Sequence, residues 1–457
     1  MDRLVVWWWK NLRDIKRTIW WLIATLLLLI VGGFAMTNQE GDREFFMPGP
    51  SIDGHYQIES QCELCHEGFG GIRQKNCLDC HSEELVQVAD SHGLKKFRDP
   101  RNTVDLDKIN VKKCRVCHVD HKPARTREMG VTIAQDFCMH CHGDIDQERP
   151  THKDLSDDSC GDCHNYHDNT DLNEGFLAKH LDEPHTLDAP VVPLRDYMAF
   201  YNRFGNKETG SLTANQHDAP KQFTRHHLAV EVWAKSSHAK SGVNCSDCHR
   251  NEKTSKWDDR VDIKSCKRCH SEQVKGFYES RHGMRLAQNL SAMTPYKGRL
   301  EMHDKNLHSS LGCESCHKSH EYTTDESVFE ACVACHKDDH TIAYKNSKHY
   351  DLLMAERAGD IAEGSGVSCA TCHFPREYRS EGDKQFVVVQ HNQNANLRPR
   401  SKQIKSVCIH CHGLGFTLDA LADDELAKNN YQGQPSVHLE SLEMVKDRIE
   451  SQKLKEH

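Results

Sequence analysis

The chain has 457 residues, 59 of them Lys or Arg against 68 Asp or Glu, for a formal net charge of −9. That acidic balance argues against a nucleic-acid partner, which asks for a basic face. With 37% hydrophobic residues and a mean hydropathy of −0.74, the polypeptide alone is too polar to fill the roughly three ordinary cores its length suggests.

The first predicted element is a membrane-spanning helix. Ile19 to Met36 is free of charge, preceded by Lys10, Arg13, Lys16 and Arg17 and followed by Glu40, Asp42 and Glu44. Such a stretch crosses a bilayer, and the flanking charges place the N-terminus in the cytoplasm. The expectation is a single-pass protein of the inner (cytoplasmic) membrane with its bulk in the periplasm. Trp20 and Trp21 stand where interfacial aromatics belong, and Trp7, Trp8 and Trp9 fit the inner surface. Gly33, Phe34 and Ala35 also offer small residues to a signal peptidase, but the apolar stretch is longer than a usual signal core, which favours a retained anchor.

Beyond the helix, all 22 cysteines fall into eleven CxxCH pentads. Five come first: Cys62, Cys65 and His66; Cys77, Cys80 and His81; Cys114, Cys117 and His118; Cys138, Cys141 and His142; Cys160, Cys163 and His164. After a gap of 80 residues come six more: Cys245, Cys248 and His249; Cys266, Cys269 and His270; Cys313, Cys316 and His317; Cys332, Cys335 and His336; Cys369, Cys372 and His373; Cys408, Cys411 and His412. Two thiols three positions apart reach the two vinyl groups of one porphyrin as thioethers, and the next imidazole ligates its iron, so CxxCH is the attachment signature of haem c. An isolated CxxC also suits zinc or a redox dithiol. Eleven repetitions with a histidine after each and no cysteine left over favour eleven covalent haems.

This spacing divides the chain into an N-terminal anchor (1–36), a five-haem module (37–170), a haem-free connector (171–240), a six-haem module (241–415) and a helical tail (416–457). The connector holds Pro184, Pro190 and Pro193 and two helical patterns, Leu194 to Phe204 and Phe223 to Ala234. Gaps between motifs are too uneven for a solenoid of identical repeats. Each motif is expected on a short helical turn, with Phe386 to Val389 the one strand-like patch. In the tail, Leu418 to Ala427 and Ser436 to Glu450 favour helix. Ser436 serves there as an N-cap, with Val437, Leu442, Val445 and Ile449 on one apolar face packed on the last module. The expected fold is mostly α and irregular, a multihaem cytochrome c wrapped around a haem chain.

Haem iron takes two axial ligands, and the second sets its task. The chain has 33 histidines, so the eleven motifs leave 22 for the distal faces. His121, His167, His320 and His340 follow a motif closely; His55, His152, His238 and His308 precede one. His92, His185, His282, His349 and His391 complete the candidates. His140 and His410 lie inside CxxC loops, and His438 and His457 lie in the tail. Met139 and the other methionines are weaker candidates.

Within about residues 230–430, several segments carry a further pattern. Ser237 and His238 lead to Gly242, Val243 and Cys245; Ser280-Arg281-His282-Gly283 comes next; then Gly366-Val367-Ser368-Cys369-Ala370-Thr371-Cys372-His373, and His391-Asn392 before Cys408. This wording resembles the superfamily of octahaem hydroxylamine oxidoreductase-like and pentahaem nitrite reductase-like cytochromes. The N-terminal anchor is similar in topology to that of membrane-bound multihaem quinol dehydrogenases. The resemblance implies haems in close pairs, mostly bis-histidine, with one open face in catalytic members. The chain departs from the catalytic pattern: it has no CxxCK, and no tyrosine answers to the one that crosslinks to haem.

The preferred expectation is an electron conduit, accepting electrons from a quinol-linked membrane partner and passing them to a periplasmic acceptor. The alternative is an oxidoreductase acting on a small nitrogen or sulfur compound, such as hydroxylamine, nitrite or a sulfur oxyanion, at one open haem of the second module. No residue is assigned a catalytic role. A filament-forming cytochrome fits a retained anchor less well.

Overall fold

The computed structural model describes the chain except for residues 1, 38–46, 69, 89, 91, 93–96, 98–99, 101–102, 128–129, 149–151, 153–159, 161–163, 165, 169–171, 173, 181, 189, 191, 195–209, 223–226, 252, 440–444, 448–450 and 452–457. It opens with one long helix, Asp2–Thr37, whose window Ile15–Gly33 has a mean hydropathy of 1.7 and buries nothing against the rest of the protein. Trp20, Trp21 and the run from Leu26 to Val31 are exposed along it. A bare apolar surface of that length suits a lipid environment.

The remainder is built from short helices and 3-10 turns joined by irregular segments, with two two-stranded sheets among the described residues. The larger sheet is a hairpin, Arg376–Glu381 against Lys384–Val389, with Tyr378 opposite Val387. Gly382 turns it at a φ of 59°, the left-handed region that a tight hairpin needs. Phe386 to Val389 therefore forms a paired strand.

The motifs lie on single turns because the CxxCH spacing brings its histidine back over its first cysteine. The amide of His118 donates to the Cys114 carbonyl at 2.9 Å, and the same bond recurs from His142, His270, His317, His336 and His412 to their own first cysteines. Capping boxes fix two motifs: Asn244 before Cys245 pairs with Asp247 inside the motif, and Ser368 before Cys369 pairs with Thr371 inside the motif. Capping residues satisfy amides that a one-turn helix leaves unpaired.

Polypeptide cores are small. One gathers Ile404, Leu414, Leu418 and Leu421, with Leu172, Phe176 and Leu177 of the connector packed against it. A second holds Leu212, Trp233 and Ala239, and a third Phe329, Tyr344 and Leu353. The accessible surface is 30408 Å², against about 17,500 Å² for a compact protein of this mass. A continuous cavity of about 3520 Å³ is lined mostly by the second module.

Connector and tail differ in detail from the pattern in the sequence. His227–Lys235 is helical, as part of Phe223 to Ala234, whereas Leu194 to Phe204 lies outside the described residues but for its first position. The first tail helix begins earlier, at Leu414–Ala422, and Asp423 separates it from Asp424–Lys428. Ser436 caps nothing: its amide and hydroxyl both donate to Asp423 at 2.7 Å, and 437–439 are not helical; 445–447 are, while 440–444 and 448–450, with Leu442 and Ile449, lie outside the described residues. Asp423 also accepts from the Leu426 amide at 2.9 Å. These donors hold its carboxyl down to about 2. A carboxyl depressed in the folded state adds stability above its ordinary range, near pH 4, and loses it as pH falls through about 2. Asp423→Ala is expected to release the tail, read as faster proteolytic cleavage after residue 430 at neutral pH.

Candidate haem-binding sites

Every motif histidine has one non-motif histidine facing it across a gap. In the first module His66 faces His121 with ring centroids 6.5 Å apart, His81 faces His55 at 6.2 Å, and His118 faces His167 at 6.3 Å. His142 faces His92 at 6.4 Å and His164 faces His152 at 6.1 Å. In the second, His249 faces His320 at 6.0 Å, His270 faces His238 at 6.0 Å, and His317 faces His391 at 6.5 Å. His336 faces His282 at 6.3 Å, His373 faces His340 at 6.2 Å, and His412 faces His349 at 6.2 Å.

This distance is a chemical signature. An iron bound on both sides by imidazole nitrogens at about 2 Å each holds the two ring centroids roughly 6 Å apart. Among the described residues no group of three or more His, Cys, Asp or Glu closes on a metal. Two opposed imidazoles and no equatorial protein donors leave four in-plane positions for a tetrapyrrole. The residues therefore fit haem c, with the paired cysteines at hand for its vinyl groups.

Several outer ring nitrogens have partners that orient the pairs. His118 Nδ1 donates to the Gly130 carbonyl at 3.1 Å, His249 to Asp258 at 2.8 Å, and His412 to His185 at 3.0 Å. On the opposite side His92 donates to Tyr166 at 2.6 Å, His121 to Gly49 at 2.8 Å, and His340 to Ala427 at 2.6 Å. A carbonyl only accepts, so each of these bonds puts the proton on Nδ1 and leaves Nε2 with its lone pair, which can face a metal and in His340 lies 3.1 Å from the Asn430 amide nitrogen. His55 Nδ1 lies 2.6 Å from Asp120, whose carboxyl is held down at about 2: burial raises it, but donors from His55, Ile52 and His121 outweigh that. Burial also holds His282, His349 and His373 down to about 4, in the neutral form that ligates.

Two of the thirteen candidate distal histidines are not brought to a motif histidine. His185 is exposed and stacks on Phe416 at 5.4 Å, contributing its carbonyl to His412; His308 is exposed beside Tyr296. His140, His410 and His438 face no motif histidine either, and His438 pairs with Asp419 at 2.9 Å. Cys163 and His457 lie outside the described residues. The orienting carbonyls and Asp120 escape a reading of the sequence, because backbone acceptors leave no residue-type signal.

The cavity of the second module is lined by both cysteines of its last five motifs and by Cys248 of the one before. It exceeds an ordinary small-molecule pocket, about 300–1,000 Å³, more than threefold, as a row of large flat groups requires.

Residues 237–337 match the family model described as cytochrome c3. The match starts one residue before His238 and contains the motifs at Cys245, Cys266, Cys313 and Cys332. It supports a multihaem electron-transfer cytochrome with covalently bound c-type haem. The family matched is cytochrome c3, not the hydroxylamine oxidoreductase-like and nitrite reductase-like superfamily that residues 230–430 resemble. No curated protein and no solved structure matches the chain.

Proposed function

We propose that the chain is a membrane-anchored electron conduit carrying eleven haems, each held between a motif histidine and the non-motif histidine that faces it. It takes electrons from a quinol-linked partner in the inner membrane and delivers them to a periplasmic acceptor. The observation that carries this reading is the completeness of the pairing: none of the eleven motif histidines lacks an opposed imidazole. Bis-histidine haem exchanges electrons without binding a substrate, whereas catalysis needs an open face. The unburied N-terminal helix supports the anchor, and the positive flank before it supports a periplasmic location for the rest.

The oxidised holoprotein is expected to give only low-spin, six-coordinate signals in paramagnetic resonance and optical spectra. Nitrite, hydroxylamine and sulfite are expected to leave them unchanged. A high-spin signal amounting to one haem, and altered by one of these compounds, would replace the conduit with the oxidoreductase alternative.

A further inference from the structure

The pairing carries a pattern of its own, whose meaning rests on the proposed function's reading of the pairs as ligand pairs. In the first module, the partner of the second motif (His55) precedes the first motif, and the partner of the first (His121) follows the third. The partner of the third (His167) follows the fifth, that of the fourth (His92) lies between the second and third, and that of the fifth (His152) lies between the fourth and fifth. Counted from Cys245, the second module repeats every assignment. His238 precedes its first motif and faces its second; His320 follows its third and faces its first. His391 follows its fifth and faces its third; His282 lies between its second and third and faces its fourth; His340 lies between its fourth and fifth and faces its fifth.

Independent details agree. His55 and His238 each stand seven positions before a first cysteine, and His121 and His320 each stand three after a motif histidine. Those last two share a left-handed backbone, φ 60° and 68°, which non-glycine residues rarely adopt. Thiols of the second and third motifs neighbour each other in both modules, Cys77 with Cys114 and Cys266 with Cys313. So do those of the fourth and fifth, Cys138 with Cys160 and Cys332 with Cys369.

The pair His349 and His412 has no counterpart in the first module. Its motif sits at a seam. The connector leaving the first module meets it directly: Leu187 donates to the Cys411 carbonyl at 2.9 Å, and Gly413 donates to Pro184 at 3.1 Å, so close that a Cβ at 413 would strike the Pro184 carbonyl. Lys402, just ahead of the motif, pairs at 2.9 Å with Glu84, which lies 3.4 Å from His81 of the second motif.

We propose that the haem-bearing chain is one five-site unit used twice, residues 55–167 and 238–391, with the eleventh site added to the second copy at the seam between them. The ten duplicated sites form a complete wiring without it.

Locating the irons of the holoprotein by anomalous diffraction tests the first half. One rotation is expected to carry five irons of the first copy onto five of the second, leaving the eleventh unmatched; irons that no single rotation relates would overturn the proposal. Fewer than eleven irons, or a free axial face in the unaltered protein, would instead overturn the ligand pairing beneath it. For the second half, Cys408→Ser with Cys411→Ser is expected to lower haem content by one and leave ten low-spin haems. Loss of two or more haems, or a high-spin signal among those remaining, would show that the eleventh belongs to the wiring. Should that variant not mature, His349→Gly keeps the covalent attachment and is expected to change the spin state of one haem alone; a change at two or more refutes the addition.

Discussion

Produced without covalent haem attachment, the protein is expected to be unfolded beyond its N-terminal helix. Among the described residues, the three polypeptide clusters hold four, three and three buried residues, and they lie far apart in sequence. The walls between them surround the cavity of about 3520 Å³, which the polypeptide does not fill. Collapse onto that space would bring the backbone groups of the motif turns and loops out of their bonds, and an empty apolar cavity forfeits the packing contacts that hold its lining. Binding of the cofactor is then part of folding, as in small metal domains that are unfolded without their metal. Far-ultraviolet circular dichroism and limited proteolysis of chain made in a host lacking the attachment machinery provide the check. Holo-like protease resistance in that material would show a polypeptide core that the three clusters do not reveal.

His282→Gly is expected to turn one haem in eleven high-spin while the rest keep their spectra. The ring of His282 faces His336 at 6.3 Å and lines the cavity. Its Nδ1 lies 3.2 Å from the Gln393 side chain, so a single orientation is held from behind. Burial pushes the free imidazole down to about 4, which favours the neutral form that ligates. Glycine removes the ring and leaves its space, and added imidazole is expected to restore the low-spin signal. That rescue separates loss of a ligand from loss of the fold. His282→Met is expected instead to stay six-coordinate and to raise one potential, by a fraction of the roughly 0.8 V over which axial ligands act. His308→Gly, at an exposed candidate facing no motif histidine, is expected to change nothing in the spectrum.

Those two histidines show where the sequence speaks and where it stops. The motifs were legible in full because attachment chemistry is local: two thiols and an imidazole within five positions. Spare histidines near motifs were legible as a set, and which faced which was not, because each pairing is made by the fold. His308 and His238 both precede a first cysteine, by five and seven positions. Only His238 sits on a capped turn, Ser237–Lys240, whose N-cap Ser236 and buried Ala239 fix its direction. The doubling of the five-site unit was hidden for a related reason. Loops between matched elements differ in length, ten positions from His142 to His152 against four from His336 to His340, so no fixed period survives. The tail misled through Ser436, a residue type that caps helices but here satisfies Asp423 from outside.

The crossed order of the pairs bears on how the protein is made. A chain exported from its N-terminus presents Cys62, Cys65 and His66 first, yet the histidine that faces His66 lies at position 121, and the one that faces His118 lies at 167. On the proposed pairing the second, fourth and fifth motifs meet partners already outside, His55, His92 and His152. The first, third, sixth and eighth motifs would meet their facing histidines only when later chain emerges. Each five-site unit would then be complete only when its last facing histidine emerges, at residue 167 and again at 391, and until then a wrong histidine would have access to the open site.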